Sequence, residues 1–237
     1  MISSRQNPWF KRVREAIDEH ADEIVIEGPK MVDDALAGGW RAIALITRGD
    51  AGMSTAARQV SFTAPLFDSL RETKNSQGVI GLFERPRATL SAIVKRRDTI
   101  AVALDGVQDP GNVGTIVRLA AAFDASGVIL LPGSADAFAP KSIRASAAAI
   151  LTVPIVSATY RELLAVDFPR FAADGAATPS DPPARGALLI FGNEGAGVSA
   201  ELLAESTPIA VATSGRVESL NVAASAAILL SRSFALR

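Results

Sequence analysis

The segment TIAVALDGVQDPGNVGTIVRLAAAFDASGVILL, residues 99–131, decides the fold of the C-terminal part of the chain. Its opening apolar run predicts a strand over Thr99–Leu104, and a turn rich in Pro, Gly and Asn then leads into a helix predicted over Asn112–Phe123. A second apolar run predicts a strand over Gly127–Leu131. Two short apolar strands joined by a helix indicate a parallel pair buried on both faces.

The residues downstream repeat this alternation. Apolar runs predict strands over Ala187–Phe191 and Ile209–Ala212, and a run of small residues predicts a last helix over Leu220–Phe234. The Pro- and Gly-rich stretch at residues 174–186 predicts an exposed connection. We therefore expect an α/β domain built on a parallel sheet.

The residues upstream predict a smaller α/β domain. Strand-like runs over Ile24–Ile26, Ala42–Thr47 and Val79–Phe83 alternate with helices that open at Pro29 and near Leu66. The segment ERPRATLSAIVKRRD, with its basic cluster and weak periodicity, marks the boundary. The expected division is a first domain at 1–90, a linker at 91–98 and a second domain at 99–237.

Charge differs modestly between the two halves. Residues 1–97 hold 15 basic and 12 acidic side chains, a net charge of +3, whereas the remaining residues hold 9 and 13, a net charge of −4. The N-terminal half is therefore the better candidate for contact with phosphates. Ordinary solvated surface charge explains so small a difference equally well.

Composition excludes several kinds of chemistry. The chain has no cysteine and one histidine, His20, so we expect no disulfide, no thiolate or multi-histidine metal site and no cysteine nucleophile. His20 lies in the charged stretch EAIDEHADE and is given no role. No run approaches the roughly 18 apolar residues of a membrane span, and the N-terminus has no signal-like apolar region. A cytoplasmic protein without metal is expected.

The first candidate loop follows the strand at Thr99–Leu104. The helix after it carries one apolar stripe that packs on the sheet, formed by Val113, Ile116, Val117, Ala120 and Ala121. Arg118 lies off that stripe, near the carboxyl end of a strand, where open α/β sheets bind ligands. A surface arginine paired with Asp124 or Asp105 is the alternative interpretation.

The second candidate loop is LIFGNEGAGVS, residues 189–199, in which three glycines allow the backbone to approach a ligand closely. The spacing fits neither the P-loop nor the dinucleotide fingerprint, and Glu194 would repel a phosphate. This pattern favours a ligand without phosphate groups.

The third candidate loop is VATSGRVESLNVAASAAILLSRS, residues 211–233, in which a turn leads into a helix that is small and apolar on nearly every face. Such a helix is expected to be buried all round, in the core or against another subunit. Ser219 and Asn221 stand at its beginning, where the serine is interpreted first as a helix cap.

Together these segments resemble the SpoU/TrmH family of RNA 2′-O-ribose methyltransferases, in the SPOUT superfamily. NVGTIVRLAAAF resembles the family's Asn and Arg motif, FGNEGAGVS its FGxEGxG motif, and SLNVAASAAILL the SLNV motif that opens its last helix, all in the family's order. The N-terminal part resembles the small substrate-binding domain of many members through SRQNPWFKRVR, IEGPKMVDDAL and NSQGVIGLFERP.

The resemblance implies a fold, a cofactor and an assembly. The C-terminal domain would be a SPOUT domain with a deep trefoil knot, against the general rule that chains avoid knots, and the N-terminal domain would resemble ribosomal protein L30e. The protein would form a homodimer through the C-terminal domain, and the knot of that domain would hold S-adenosylmethionine. The positions implied for the cofactor are Gly192, Asn193, Gly197, Val211 and Leu220.

The resemblance also implies a site for methyl transfer to a ribose 2′-hydroxyl. Arg118 is the expected catalytic residue, and the residues that shape the site with it are Asn112, Glu194, Ser219 and Asn221. Free guanidinium groups have a pKa above about 12, so two roles stay open for Arg118. It accepts the proton in a specially tuned site, or it clamps a phosphate and stabilises the developing alkoxide.

One departure concerns the cofactor loop, since the family usually has Ile-Pro-Met or Val-Pro-Met where this chain has Val211, Ala212 and Thr213. The missing proline is expected to loosen that turn.

RNA, ribosomal rather than transfer RNA, is the expected partner. The basic residues proposed to contact it are Arg5, Lys11, Arg12, Arg14, Lys30 and Lys74. Trp9 and Phe10 either stack on a base or, as we prefer, dock the N-terminal arm onto the core. The rival functions are a catalytically silent RNA-binding paralogue, disfavoured by the intact motifs, and a Rossmann-type oxidoreductase, which lacks its GxGxxG motif here.

Overall fold

The computed structural model describes residues 1–71 and 77–237. The chain divides into two units. One contains residues 1–86 and 138–143, and the other contains residues 87–137 and 144–237.

The N-terminal unit contains a four-stranded sheet with the order β1-β4-β2-β3. Its elements are α1 (Pro8–Asp18), β1 (Glu23–Glu27), α2 (Pro29–Ala37), β2 (Ala42–Arg48), β3 (Gln59–Phe62), α3 (Ala64–Asp68) and β4 (Val79–Glu84). Strand β4 pairs antiparallel with both β1 and β2, while β2 pairs parallel with β3. The predicted strands and helix starts of this region agree with the structure.

Helix α1 shows how the sequence sets the local structure of this unit. Asn7 caps the helix by accepting a hydrogen bond from the Trp9 amide, and Pro8 occupies its first turn. The buried residues Phe10, Val13 and Ile17 recur at helical spacing and pack into the core of the unit. The helix therefore lies with its charged face toward solvent.

The C-terminal unit contains a six-stranded sheet with the order β10-β8-β9-β5-β6-β7, in which every neighbouring pair is parallel. Its strands are β5 (Ile100–Asp105), β6 (Val128–Leu130), β7 (Ile155–Ser157), β8 (Arg170–Ala173), β9 (Ala187–Gly192) and β10 (Thr207–Ile209). Its helices are α4 (Leu90–Lys95), α5 (Pro110–Ala122), α7 (Tyr160–Leu164), α8 (Ala200–Ala204) and α9 (Val222–Ala235). A 3-10 turn (Ala149–Leu151) also belongs to this unit, whereas residues 140–143 of helix α6 (Pro140–Ala145) belong to the N-terminal unit.

Two details of the sequence prediction are wrong in this sheet. The strand predicted over Ile209–Ala212 lies upstream, because Thr207–Ile209 pairs with β8 and only an isolated bridge continues at Ala210. Strands β7 and β8 were missed, since each is only three or four residues long and only partly buried. Val211 and Ala212 therefore lie in irregular chain.

The segment 91–98, predicted as a linker, contains most of α4. Thr89 caps this helix by accepting from the Ala92 amide, and Ile93 is buried in the core of the C-terminal unit. The helix was missed in the sequence because its one buried residue gives no apolar period beside the basic cluster. The segment belongs to the C-terminal unit, which begins at Arg87.

Within one chain the last helix is buried along one face, so burial all round in the core is wrong, whereas burial against another subunit stays a prediction. Its buried residues are Val222, Ala223, Ala226, Leu229, Leu230 and Ser233. On another face Phe234 is 46% exposed, and Ala224 and Ser231 are also exposed. This apolar surface remains uncovered within one chain. The connection at residues 174–186 is mostly exposed, as predicted.

No helix in the described ranges is long and apolar enough to cross a membrane. Among the same residues, no group of His, Cys, Asp or Glu side chains is arranged to hold a metal ion.

Candidate active site

The glycine loop, residues 192–199, leaves the carboxyl end of β9 and folds back on itself. The Asn193 and Gly197 backbones exchange two hydrogen bonds of 2.9 Å. A Cβ on Gly192 would lie 2.1 Å from the backbone carbon of Gly197 and from the Val198 nitrogen. Only glycine fits at this position, because the loop returns in direct contact with the end of the strand.

Asn193 stiffens the loop from within. Its side-chain oxygen accepts hydrogen bonds of 2.9 Å from the amides of Gly195 and Ala196. Its side-chain nitrogen donates to the carbonyl of Gly106, at the end of the neighbouring strand β5, over 2.8 Å. The loop is thereby fixed to the carboxyl edge of the sheet.

Glu194 connects the glycine loop to the start of α5. Its carboxylate accepts hydrogen bonds from the Gln108 and Asp109 amides, both at 3.2 Å, and from the Asn112 side chain at 2.8 Å. Partial burial by itself would raise the pKa of Glu194, but these hydrogen bonds outweigh it and lower the pKa below its ordinary value. The group is a fixed anion at this edge of the sheet.

Asn221 joins the third segment to the same network. Its side-chain nitrogen donates to the Asn112 side-chain oxygen at 3.2 Å, and its side-chain oxygen accepts from the Ala223 and Ala224 amides. Asn221 is therefore the N-cap of α9, and the interpretation of Ser219 as the cap is wrong. Ser219 is exposed.

Arg118 is an exposed residue of α5, on the side away from Val113, Ile116 and Val117, which are fully buried. The alternative in which it pairs with Asp124 or Asp105 is wrong. The Asp124 carboxylate contacts Arg96 and Arg237 instead.

The Asp105 carboxylate accepts hydrogen bonds from the Tyr160 hydroxyl and from the Ser199 amide. Within residues 1–71 and 77–237, Arg118 makes no ion pair or hydrogen bond, so its guanidinium is available to a ligand.

A cavity of 360 Å³ opens beside the glycine loop. All five positions predicted for the cofactor line it, together with two predicted to shape the site: Gly192, Asn193, Gly197, Val211, Leu220, Glu194 and Ser219. The wall combines apolar side chains such as Phe191 and Leu229 with the carboxylates of Asp174, Glu194 and Glu218. Arg118, Asn112 and Asn221 do not line it.

The predicted RNA-binding residues are dispersed over the N-terminal unit. Three of them form ion pairs with neighbouring carboxylates: Arg12 with Glu23, Arg14 with Asp18, and Lys30 with Asp34. Arg5 and Lys11 are exposed, and Lys74 lies outside the described residues.

Trp9 is partly buried against the core of its unit, in agreement with the preferred interpretation that it docks the N-terminal arm. The structure adds one contact that the sequence did not indicate. The Arg58 guanidinium lies 4.8 Å from the centre of the Trp9 ring.

Sequence reasoning missed two residues that support the site, Asp105 and Tyr160. Asp105 is a carboxylate at the end of a buried strand, a signal that was available but was considered only as a partner for Arg118. Tyr160 comes from a short helix that no sequence pattern placed near the glycine loop.

Residues 99–231 match the SpoU rRNA Methylase family. The chain belongs to this family. The match covers more than half of the protein and confirms the RNA methyltransferase family predicted from the three motifs.

Relatives of this SpoU methylase match it over both units. The chain is 31% identical over 234 residues to the 23S rRNA (guanosine(2553)-2′-O)-methyltransferase RlmP of Bacillus subtilis, covering 94% of this chain and 92% of the relative. It is 32% identical over 185 residues to the 23S rRNA (adenosine(1067)-2′-O)-methyltransferase of Streptomyces laurentii, covering 72% of this chain and 67% of that one.

Solved structures agree with this assignment. The crystal structure of an AdoMet-bound rRNA methyltransferase from Sinorhizobium meliloti superposes with a TM-score of 0.86 at 28% identity, covering 98% of this chain and 96% of that one. The predicted α/β fold with a parallel-sheet methyltransferase domain is confirmed.

Proposed function

We propose that this SpoU methylase transfers a methyl group from S-adenosylmethionine to a ribose 2′-hydroxyl of ribosomal RNA. The observation that carries the proposal is the convergence of the five predicted cofactor positions around one cavity, two of whose lining segments are joined by the network of Glu194, Asn112 and Asn221. The names of the two relatives support a ribosomal RNA substrate, and the S. meliloti structure supports the cofactor.

The cavity suits S-adenosylmethionine in size and chemistry. Its 360 Å³ lies within the roughly 300–1,000 Å³ of small-molecule sites. Carboxylates of Asp174, Glu194 and Glu218 in its wall favour a cation and disfavour phosphate groups, while Phe191 and Leu229 offer apolar contact. When bound, the cofactor supplies an electrophilic methyl group on a positively charged sulfur.

The protein's own task is to position the ribose hydroxyl and to stabilise the charge that develops on its oxygen. Arg118 is exposed and, among the described residues, makes no ion pair, so no carboxylate competes with an incoming RNA phosphate for its guanidinium. We therefore favour the clamp over the base: the guanidinium holds a phosphate of the substrate and stabilises the charge that develops on the 2′-oxygen, while solvent water takes the hydroxyl proton. Asn112, Glu194, Ser219 and Asn221 shape the surface around it.

We assign RNA binding to the N-terminal unit, through Arg5, Lys11, Arg12, Arg14, Lys30 and Lys74. The excess of basic side chains in residues 1–97 supports this assignment, and Arg58 beside Trp9 adds a further cation on that unit. Ion pairs such as Arg14 with Asp18 are exposed, and a phosphate can replace the carboxylate at small cost.

Three further features complete the proposal. We infer a homodimer through the exposed apolar face of α9, since Phe234 is 46% exposed within one chain. We infer the trefoil knot in the C-terminal unit and an L30e-like fold for the N-terminal unit from the family resemblance. A ribosomal RNA substrate implies a cytoplasmic location.

The first test is a calorimetric titration of the purified protein with S-adenosylmethionine, repeated with Gly192→Trp. We expect micromolar binding in the wild type and none in the variant, whose side chain enters the returning loop. The second test measures transfer of radiolabelled methyl groups to 23S ribosomal RNA by the wild type and by Arg118→Ala.

The label should appear in a nucleotide whose phosphodiester bond resists alkaline cleavage, because its ribose 2′-oxygen carries the methyl group. The Arg118→Ala variant should lose turnover and keep cofactor binding. If the wild-type protein binds RNA but does not bind the cofactor and transfers no labelled methyl group, it is instead a silent RNA-binding paralogue. An Arg118→Ala variant that keeps most of its turnover would refute the role assigned to this residue.

A further inference from the structure

A buried carboxylate lies behind the glycine loop. Asp105 is the last residue of β5 and pairs in register with Gly192, the last residue of β9. It is 3% exposed, and both of its oxygens accept hydrogen bonds of 2.7 Å, one from the Tyr160 hydroxyl and one from the Ser199 amide. Within residues 1–71 and 77–237 it forms no ion pair with a basic side chain.

Asp105 and its neighbour Gly106 fix the two ends of the loop. The carbonyl of Gly106 accepts from the Asn193 side chain, at the point where the loop begins. The carboxylate of Asp105 accepts from the Ser199 amide, at the point where the loop ends. The conformation that carries Glu194 therefore depends on two adjacent residues at the end of β5.

Tyr160 brings a third segment to this point. It is the first residue of α7, which follows β7, and its hydroxyl reaches past the intervening strand β6 to β5. The hydrogen bond to Asp105, together with burial, raises the pKa of Tyr160 to about 12. The phenol is therefore a permanent donor at neutral pH, and it holds the carboxylate in the orientation that the Ser199 amide requires.

Burial of a carboxylate without a cation is costly, since it loses its hydration and recovers only the hydrogen bonds supplied to it. The Asp105 carboxylate has a geometric role here, because its two acceptor oxygens join the glycine loop to helix α7. Neither Asp105 nor Tyr160 lines the cavity.

We propose that Asp105 and Tyr160 are positioning residues that hold the glycine loop in its cofactor-binding conformation before the cofactor arrives. The part concerning the cofactor rests on the proposed function. If a smaller fraction of molecules has the loop in its binding conformation, the apparent Kd rises in inverse proportion to that fraction. The reaction rate of the bound complex is unchanged.

The central variant is Tyr160→Phe, which removes one hydroxyl and keeps the ring. Loss of a hydrogen bond to a charged acceptor should raise the Kd for S-adenosylmethionine about tenfold. The kcat at saturating cofactor should stay within about twofold, because Tyr160 does not line the cavity.

The matched control is Thr159→Ala. Thr159 forms a capping box with Glu162 at the start of α7, so the variant weakens the same helix and leaves the Tyr160 hydroxyl in place. Asp105→Asn is the second variant, because its side-chain oxygen still accepts from the Ser199 amide. Combined with Tyr160→Phe, it should raise the Kd by less than the product of the two single effects, since the two residues act as one unit.

Amide hydrogen exchange of the cofactor-free protein tests the loop directly. We expect faster exchange at Gly195–Ser199 in Tyr160→Phe and in Asp105→Asn, but not in Thr159→Ala. Unchanged exchange in the first two variants would overturn the proposal. Equal weakening of cofactor binding by Thr159→Ala would also overturn it, since helix stability and not the hydroxyl would then be responsible.

A wild type that fails to bind S-adenosylmethionine would contradict the proposed function instead, and the exchange experiment would still decide whether the pair holds the loop. A drop in thermal stability without a change in Kd or loop exchange would show a purely structural role and refute the assignment.

Discussion

The cavity has two walls that are held in different ways. The glycine loop is closed by its own backbone, tied to β5 at both ends and joined to α5 through Glu194. Another part of its lining, the wall formed by residues 211–220, is mostly exposed, and in the described chain its internal hydrogen bonding consists of one contact of 3.3 Å from the Gly215 amide to Thr213. One wall is preorganised, and we expect the ligand to order the other.

The largest effect is expected when the preorganised wall is broken by Gly192→Ala. A Cβ at this position would lie 2.1 Å from backbone atoms, so the loop must shift. We expect about 1–3 kcal/mol of lost stability and at least about 100-fold weaker cofactor binding, measured by thermal denaturation and calorimetry. Gly195→Ala is the control for stability, since its Cβ would make an ordinary contact of 3.6 Å with Asn193. Equal melting temperatures for Gly192→Ala and the wild type would contradict this account.

The connection between the walls can be cut at Asn221. Asn221→Ala removes both the cap of α9 and the bond to Asn112, and should cost about 1 kcal/mol of stability. Asn221→Asp keeps an acceptor for the cap but cannot donate to Asn112, so we expect wild-type stability and about tenfold lower kcat/KM for methyl transfer. Similar activity in Asn221→Asp and the wild type would show that the link between Asn221 and Asn112 has no functional effect.

A smaller effect is expected from pH, acting on the preorganised wall through Glu194. Hydrogen bonds hold the folded pKa of this residue below its ordinary value of 4.5. The carboxylate therefore contributes stability above that pH and loses the contribution as pH falls through the lowered folded pKa. Denaturant unfolding between about pH 6 and about pH 3 should show the stability advantage of wild type over Glu194→Gln shrinking as pH falls. A constant difference would mean that the carboxylate is not held as described.

The smallest effect is expected when the second wall is stiffened by Ala212→Pro. The amide of Ala212 donates no hydrogen bond in the described chain, so proline removes no interaction and restricts the unliganded segment. Such substitutions are worth about 0.4–1 kcal/mol, which corresponds to a roughly two- to fivefold lower Kd for S-adenosylmethionine. Weaker binding would show that the turn needs a backbone angle that proline cannot adopt.

The same contrast accounts for what the sequence could predict. The strands β5 and β9 were predicted because burial on both faces gives a continuous apolar run, and helix α5 was predicted because its one buried face gives an apolar stripe at helical spacing. The glycine loop was proposed as a ligand site because three glycines directly after a buried strand let the backbone approach a ligand closely, and the family resemblance then assigned it to the cofactor. Cavity-lining positions such as Val211 and Leu220 came from the family resemblance alone.

The failures have physical causes as well. Strands β7 and β8 are too short to show a period, and α4 was hidden because its only buried residue is Ile93. The pair of Asp105 and Tyr160 was missed because it joins residues far apart in sequence across an intervening strand. Contacts of that kind depend on strand order, which local patterns do not encode.

Strand order also has a consequence for how the protein is made. The central pair of the larger sheet joins β5 to β9, with Ile100 opposite Ala187, so the chain must be synthesised as far as the start of β9 before this pairing can begin. The sheet of the N-terminal unit, in contrast, has all of its strands once Glu84 has been added. Because non-local pairing is slow and leaves apolar strands uncovered meanwhile, the nascent C-terminal unit is the part of this protein that should depend on chaperones during translation.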